Sequence, residues 1–430
     1  MRKINSRKSI NSALKLCVAA LPNHSAYRHN EAGKTPSTKF THIFVALRNL
    51  QHIRVAYGQS FSLAFMRELW FRGHSRGATI SVVSEDSFLM HLHEGFPTEP
   101  RLLQQELERW QLVLTAPPFK VEGSSVYPVL SVGFVALDVL GPPSSSEINQ
   151  LTPSAAVPLP EIQHTIAWRL AYERDMEFVG DFYQKLGQHK FALAFQPIVS
   201  LSNGNETLYE EGLLRFAGYF AERNITSIDA ISTLERLGLI RRLDRSVVLN
   251  VLDILHQQPQ LNLGCNISSH SATIDTWWTC ILEFLASQPE LASRLTIEIT
   301  ERSPLLDVNA AIEFVQHLQR LGCQIAIDDF GAGFTTLEYV RRARPDIIKI
   351  DSGYLRRARG SQQHAEALVR LTDLCSVFTR QVVIEGIESS SDLSLARRTA
   401  ANWAQGNIFS EPLINPSWAE RPLLIRNSSL

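Results

Sequence analysis

The chain has 430 residues, of which 44% are hydrophobic and 20% charged, with a formal net charge of -1. That is an ordinary folded composition, long enough for two domains with separate cores. The near-neutral charge argues against broad attraction to a nucleic-acid polymer or an anionic membrane, and no apolar run approaches a membrane span. The five cysteines, Cys17, Cys265, Cys280, Cys323 and Cys375, are odd in number and widely spaced without a CxxC pair. They fit a reducing, cytoplasmic setting and not a disulfide framework or zinc knuckle.

In chain order, residues 1–15 read as a basic tail (Arg2, Lys3, Arg7, Lys8), and the apolar stretch Leu16–Leu21 is short for a signal-peptide core. A first α/β unit is expected over 16–160, its end marked by the Pro- and Ser-rich stretch Gly141–Pro160. A helical pattern follows from Glu161 to about Lys190, with 161–180 read as a linker helix and 181–426 as a second domain. There, eight short apolar runs read as buried strands: 191–199, 207–216, 261–268, 294–300, 323–329, 346–350, 381–386 and 403–409. Amphipathic helical patterns lie between most of them, such as Ala311, Phe314, Val315, Leu318 and Leu321. Eight strands with intervening helices predict a (β/α)8 TIM-like barrel of parallel strands.

These runs contain polar residues that a buried strand would not choose: Glu211, Asn266, Glu298, Asp328 with Asp329, Lys349, Glu385 and Gln405. In a parallel barrel the C-terminal strand ends converge on one mouth, which holds the active site. Five carboxylates gathered there must be neutralised. Divalent cations do this, and all-oxygen ligation favours Mg²⁺ or Mn²⁺ over zinc. Asp328-Asp329 could place one carboxylate between two metals, a geometry suited to in-line displacement at phosphorus. Alone, the pair would read as a capped strand-to-helix turn. Lys349 would face the carboxylates and orient or deprotonate water, or bind phosphate. Asp351 reads as a cap or a brace, and Glu301 and Glu388 as loop braces or surface charges.

The motifs FQPIV (195–199), EGLLR (211–215), ISTLERLGLI (231–240), NIS (266–268), EITE (298–301), DDFGAGFTTL (328–337), PDIIKID (345–351), EGIE (385–388) and QGNIFSEPL (405–413) resemble the EAL-domain phosphodiesterases that hydrolyse cyclic di-GMP. The resemblance covers about 180–415. It implies that Glu211, Asn266, Glu298 and Asp328 bind one metal, and that Asp328 bridges to a second held also by Asp329. Lys349 and Glu385 would hold or activate the attacking water, with Glu211 in the catalytic set. Gln196, Arg215 and Gln405 would contact the dinucleotide, and Glu301 would anchor the loop 330–337. It further implies two Mg²⁺ or Mn²⁺ per site, inhibition by Ca²⁺, and a homodimer through this domain. Gly212, Asn402, Ile384 and Arg344 depart from the family pattern without removing a ligand.

The first unit resembles the GGDEF cyclase fold with its chemistry stripped. VALRNLQHIRVAYG (45–58) matches the metal-binding strand and following helix, VSEDSF (83–88) the signature hairpin, PVLSVGFVAL (128–137) a core strand and LPN (21–23) the opening. Ala46 and Arg48 stand where the cyclase needs carboxylates, and Ser75 and Ala78 where an Arg and an Asp would form the product-inhibition site. No cyclase activity is expected, and the unit would serve dimerisation, regulation or a protein partner. The other reading of the whole chain is a non-catalytic receptor for cyclic di-GMP or for a protein.

Overall fold

A computed structural model of the chain describes residues 40–92, 99–121, 124–137, 159–188, 190–204, 206–216, 225–300, 302–334, 336–419 and 424–425. The first unit comprises β1 (Phe40–Leu47), α1 (Leu50–Tyr57), α2 (Gln59–His74), β2 (Ala78–Val82), β3 (Ser87–Leu92), α3 (Pro100–Thr115), β4 (Phe119–Val121), β5 (Ser124–Val126), β6 (Leu130–Leu137) and α4 (Ile166–Gly187). Four of its strands form an antiparallel sheet in the order β2-β3-β1-β6. Alternate residues Ile43, Val45 and Leu47 turn to one face, where they share a core with Ile53, Phe65, Leu69 and Trp110. The helical stretch expected from Glu161 to about Lys190 appears as α4. In α4, Tyr172, Met176, Val179 and Phe182 are buried, and it packs on α1 and β5. LPN (21–23) lies outside the described residues.

The second unit runs β7 (Phe191–Ser200), β8 (Thr207–Phe216), α5 (Ser227–Arg236), α6 (Arg241–Gln257), β9 (Leu263–Ser268), α7 (Thr279–Ser287), α8 (Pro289–Ala292), β10 (Leu295–Thr300), α9 (Val308–Arg320), β11 (Gln324–Phe330), α10 (Leu337–Ala343), β12 (Ile347–Ile350), α11 (Ser352–Ala358), α12 (Gln362–Phe378), β13 (Gln381–Ile384), α13 (Ser390–Ala396) and β14 (Trp403–Ala404). The eight strands close into the expected barrel, in the order β10-β11-β12-β13-β14-β7-β8-β9. It is not all-parallel. β7 runs antiparallel to both β8 and β14. The reason is local: β7 and β8 are joined by a short turn at Asn203-Gly204, where Gly204 has φ +67°. So short a link makes a hairpin, whereas a parallel pair needs a crossover of a dozen residues or more. The last strand is also shorter than expected, only Trp403–Ala404, so Gln405 sits just beyond it.

The two units meet through buried polar contacts. The Glu108 carboxylate on α3 accepts from Arg245 on α6 and from the Cys280 backbone N–H at 2.9 Å. The Arg242 guanidinium donates to the Ala116 carbonyl at 3.0 Å.

Candidate active site

The barrel lumen is built in layers, because alternate residues of each strand point inward. Ile198, Tyr209, Ala326, Ile347 and Val383 form the floor, a cluster separate from the main core, with Trp403 against it. Two residues toward the mouth on the same strands come Gln196, Glu211, Asp328, Lys349, Glu385 and Gln405. Gly264 and Thr296 lead to Asn266 and Glu298 in the same way. Six of the strands thus supply one inward polar side chain from within, and Glu385 and Gln405 follow directly on β13 and β14. The apolar floor explains why these residues sat at period two in otherwise hydrophobic runs.

Lys349 is wholly buried at the centre. Its Nζ lies 2.9 Å from Glu211 Oε2, 2.7 Å from Glu298 Oε2, 2.9 Å from Asp328 Oδ1 and 2.8 Å from Glu385 Oε1. Burial pulls its pKa down, yet the four carboxylates outweigh burial and hold it well above the usual lysine range. Burial raises the pKa of Glu298, with Glu211 adding to it, and burial likewise raises that of Glu385. One ammonium cannot balance four carboxylates. Glu298 Oε1 and Asn266 Oδ1 have no hydrogen-bond partner among the described residues, and Glu298 Oε2 and Asp328 Oδ1 meet Lys349 only as ion pairs lacking hydrogen-bond geometry. Such orphaned buried oxygens are costly without a further cation.

Two groups are spaced to hold cations: Glu211, Glu298 and Asp328, and Asp328, Asp329 and Glu385, each with ligand oxygens within 4.8 Å of one another. Asp328 belongs to both. Adjacent residues of a regular strand face opposite ways, so this pairing needs a distortion, and the chain has one. The register of β11 against β12 shifts between Ile327 and Phe330, and Asp329 has φ +56°. This bulge turns both carboxylates to the mouth. The Arg302 Nε donates to Asp329 Oδ2 at 3.2 Å.

The glutamines and Arg215 frame the cluster. Gln405 Nε2 donates to Glu211 Oε2 at 2.7 Å and to Gln196 Oε1 at 3.2 Å, and Gln196 Nε2 donates to the Ser410 carbonyl at 2.9 Å. The Asn266 Nδ2 donates to Glu211 Oε1. Arg215 is half-buried at the rim, where its Nη1 donates to the Leu214 carbonyl at 3.0 Å and burial lowers its pKa. A cavity of about 350 Å³ opens above, lined by Gln196, Glu211, Arg215, Asn266, Asp328, Asp329, Glu385 and Gln405 on one side and by Ile228, Ile231, Leu243 and Val247 on the other. Of the residues singled out in the sequence, Glu301 lies outside the described residues. Asp351 caps α11, accepting from the Gly353 N–H at 3.0 Å, and Glu388 pairs with Arg359 at 2.9 Å.

Sequence reasoning missed Tyr209 and Gly264. Tyr209 is buried in the floor with its hydroxyl unpartnered among the described residues. A Cβ at Gly264 would come within 2.7 Å of Tyr209 Cδ2 and of Glu298 Oε1, so this glycine makes room for both. It also missed Glu235 and Asp244, buried acids on helices that nothing in the helical pattern distinguishes from surface charges.

The EAL domain family profile matches residues 180–412, more than half of the chain. The chain is 25% identical over 342 residues to the cyclic di-GMP phosphodiesterase NbdA of Pseudomonas aeruginosa, covering 75% of this chain and 41% of that protein. It is 24% identical over 421 residues to the cyclic di-GMP phosphodiesterase PdeR of Escherichia coli, covering 92% of this chain and 61% of that protein. The chain therefore spans between two fifths and two thirds of the length of these curated relatives. Among solved structures, the EAL enzyme Bd1971 in its cAMP-bound form superposes with a TM-score of 0.50 at 20% identity, covering 67% of this chain and 79% of that one. That likeness concerns the fold.

Proposed function

Because the chain belongs to the EAL domain family, we propose that its barrel hydrolyses cyclic di-GMP to linear 5′-pGpG. The observation that carries the reading is the ring of eight inward polar side chains, in which four carboxylates share one buried ammonium and leave oxygens unbonded. In this reading Glu211, Asn266, Glu298 and Asp328 hold one divalent cation, and Asp328 and Asp329 a second. The all-oxygen donor set fits Mg²⁺ or Mn²⁺, while the larger Ca²⁺, with its irregular coordination, would inhibit. Bound there, the cations supply charge stabilisation at the phosphoryl oxygens and lower the pKa of water.

The chain's own residues do the rest. Glu385 accepts the proton of the attacking water, a role suited to a carboxylate whose pKa is raised by burial. Lys349 Nζ fixes that carboxylate at 2.8 Å and orients the water beside it. As water forms its bond to phosphorus, the ribose 3′ oxygen leaves, opening the ring. Arg215 meets a phosphate with its charge and fork geometry. Gln196 and Gln405, joined at 3.2 Å, hold the nucleotide next to the metal ligands.

The part of the first unit that precedes α4, residues 16–160, is in this proposal a degenerate GGDEF-like domain without cyclase activity. Ala46 is buried and cannot ligate, and the Arg48 Nε donates to Ser131 Oγ at 2.8 Å where a carboxylate would be needed. A homodimer through the barrel, a protein partner on the first unit and a cytoplasmic location belong to the same proposal. No described helix is long and apolar enough to cross a membrane.

The test is turnover of cyclic di-GMP by the full chain with Mg²⁺, Mn²⁺ or Ca²⁺, with and without GTP. Mg²⁺ or Mn²⁺ should support linearisation, and Glu211→Ala or Asp328→Asn should abolish it with the fold intact. Tight binding of the nucleotide with no turnover under any of these conditions overturns the enzyme reading in favour of a receptor.

A further inference from the structure

We propose that Glu235 is a positioning residue that locks two strand ends of the metal cluster into register. The inference rests on the phosphodiesterase reading for its kinetic consequence, though not for its geometry. Glu235 lies near the C-terminal end of α5 and is only 5% exposed. Among the described residues it has no ion-pair partner. Its two oxygens are divided between two loops: Oε1 accepts from Ser268 Oγ, and Oε2 accepts from Ser303 Oγ at 2.9 Å. Ser268 closes β9, two residues past Asn266. Ser303 follows β10 and adjoins Arg302, which donates to Asp329 Oδ2 at 3.2 Å. The two loops are also joined directly, Ser269 Oγ donating to the Ser303 carbonyl at 2.8 Å.

The arrangement is poor economy if packing were its purpose. A buried carboxylate loses hydration, and its hydrogen bonds among the described residues come from two hydroxyls, whereas a leucine would fill the helix face without that penalty. What the carboxylate adds is a fixed distance between the strand end bearing Asn266 and the loop that steadies Asp329. The same helix presents Ser227, Ile228 and Ile231 to the cavity. Its start is fixed by a capping box between Thr226 and Asp229. A ligand in the cavity therefore touches the element that spaces the metal-ligating strand ends. Groups that hydrogen-bond metal ligands set metal affinity by orienting them, and Glu235 acts one contact further out, through Ser268 and Ser303.

The experiment compares wild type, Glu235→Leu, Glu235→Gln and Ser303→Ala by Mn²⁺ titration calorimetry, hydrogen exchange, thermal melting and steady-state kinetics. Glu235→Leu should weaken Mn²⁺ binding about 10- to 100-fold. Exchange should rise in 264–271 and 302–304 but not in α12. kcat should fall while KM for cyclic di-GMP stays within about threefold, and Glu235→Gln, which keeps one acceptor, should recover part of the loss. Ser303→Ala removes one arm with little change of shape, and should weaken Mn²⁺ binding even if Glu235→Leu does not fold. Mn²⁺ affinity equal to wild type in Ser303→Ala and Glu235→Gln, with a lower melting temperature alone, overturns the proposal. A wild-type chain that binds Mn²⁺ but never cleaves cyclic di-GMP sinks the phosphodiesterase reading and leaves this comparison standing.

Discussion

Replacing Lys349 by methionine keeps most of the side-chain volume and removes the ammonium that four carboxylates surround at 2.7–2.9 Å. With an effective dielectric of about 20, each contact has a gross attraction of roughly 6 kcal/mol, most of which is offset by desolvating the charges. Removing one partner from a buried ionic cluster leaves a net loss of about 3–5 kcal/mol. The metal-free variant should therefore be less stable by that amount in urea denaturation with chelator present. Mn²⁺ should restore more stability to the variant than it adds to wild type, since the cation then supplies all of the compensating charge. A ligand at 100 times its Kd contributes about 2.7 kcal/mol, so a large part of the loss is recoverable. Turnover should stay at least about 100-fold down even with Mn²⁺, because the group that aims Glu385 is gone. A metal-free variant within about 1 kcal/mol of wild type would refute the reasoning, since the ammonium would then not be what holds the carboxylates together.

Gly264→Ala drives a methyl into Tyr209 and Glu298. It should weaken Mn²⁺ binding at least about tenfold in calorimetry, and Tyr209→Leu in the same chain should restore part of it; no recovery would mean the clash lies elsewhere. Asp244 accepts from the Ser268 N–H at 3.0 Å and from Ser271 Oγ at 2.6 Å, and burial pushes its pKa up to about 7. A carboxyl raised in the fold contributes stability that is full below its unfolded value of about 3.8 and lost as pH rises through 7. Asp244→Asn should accordingly gain on wild type in thermal melts as pH climbs from 4 to 8, and a gap independent of pH would refute it. Glu108→Gln leaves the buried Arg245 charge uncompensated between the two units. It should lower stability by about 3 kcal/mol in denaturant, and a change below about 1 kcal/mol would show that the contact is not holding the units together.

The barrel was legible because its lumen imposes a period of two on strands that are apolar on both faces. A glutamate in TLYEEGLLRF or a lysine in DIIKI stands out against that background, and the polar ring followed from counting strand ends. What could not be read was direction and distortion. Nothing in 191–200 says that the strand is reversed until the short Asn203-Gly204 turn is weighed as a hairpin. Asp328 and Asp329 were suspected together, but a regular strand would have parted them, and the bulge that brings both to the mouth is a property of the closed sheet. Glu235 escaped because a glutamate in an amphipathic helix ordinarily faces water. Its burial depends on two serines 33 and 68 residues further along the chain.

The reversed first strand has a mechanical consequence. In an all-parallel barrel the preceding segment would arrive at the floor, a full strand length from the chemistry. Here Phe191, the first residue of β7, pairs with Phe216, the last of β8, so the chain arrives at the rim of the mouth. Phe182 of α4 packs on Phe191 with ring centres 4.8 Å apart, and Phe191 on Phe216 at 4.9 Å. Five residues beyond Phe191, the same strand delivers Gln196 to the ring. The long helix before the barrel thus ends beside the rim of the mouth, where its Phe182 packs against both Phe191 and Phe216, next to the strand segments that carry Gln196 and Arg215.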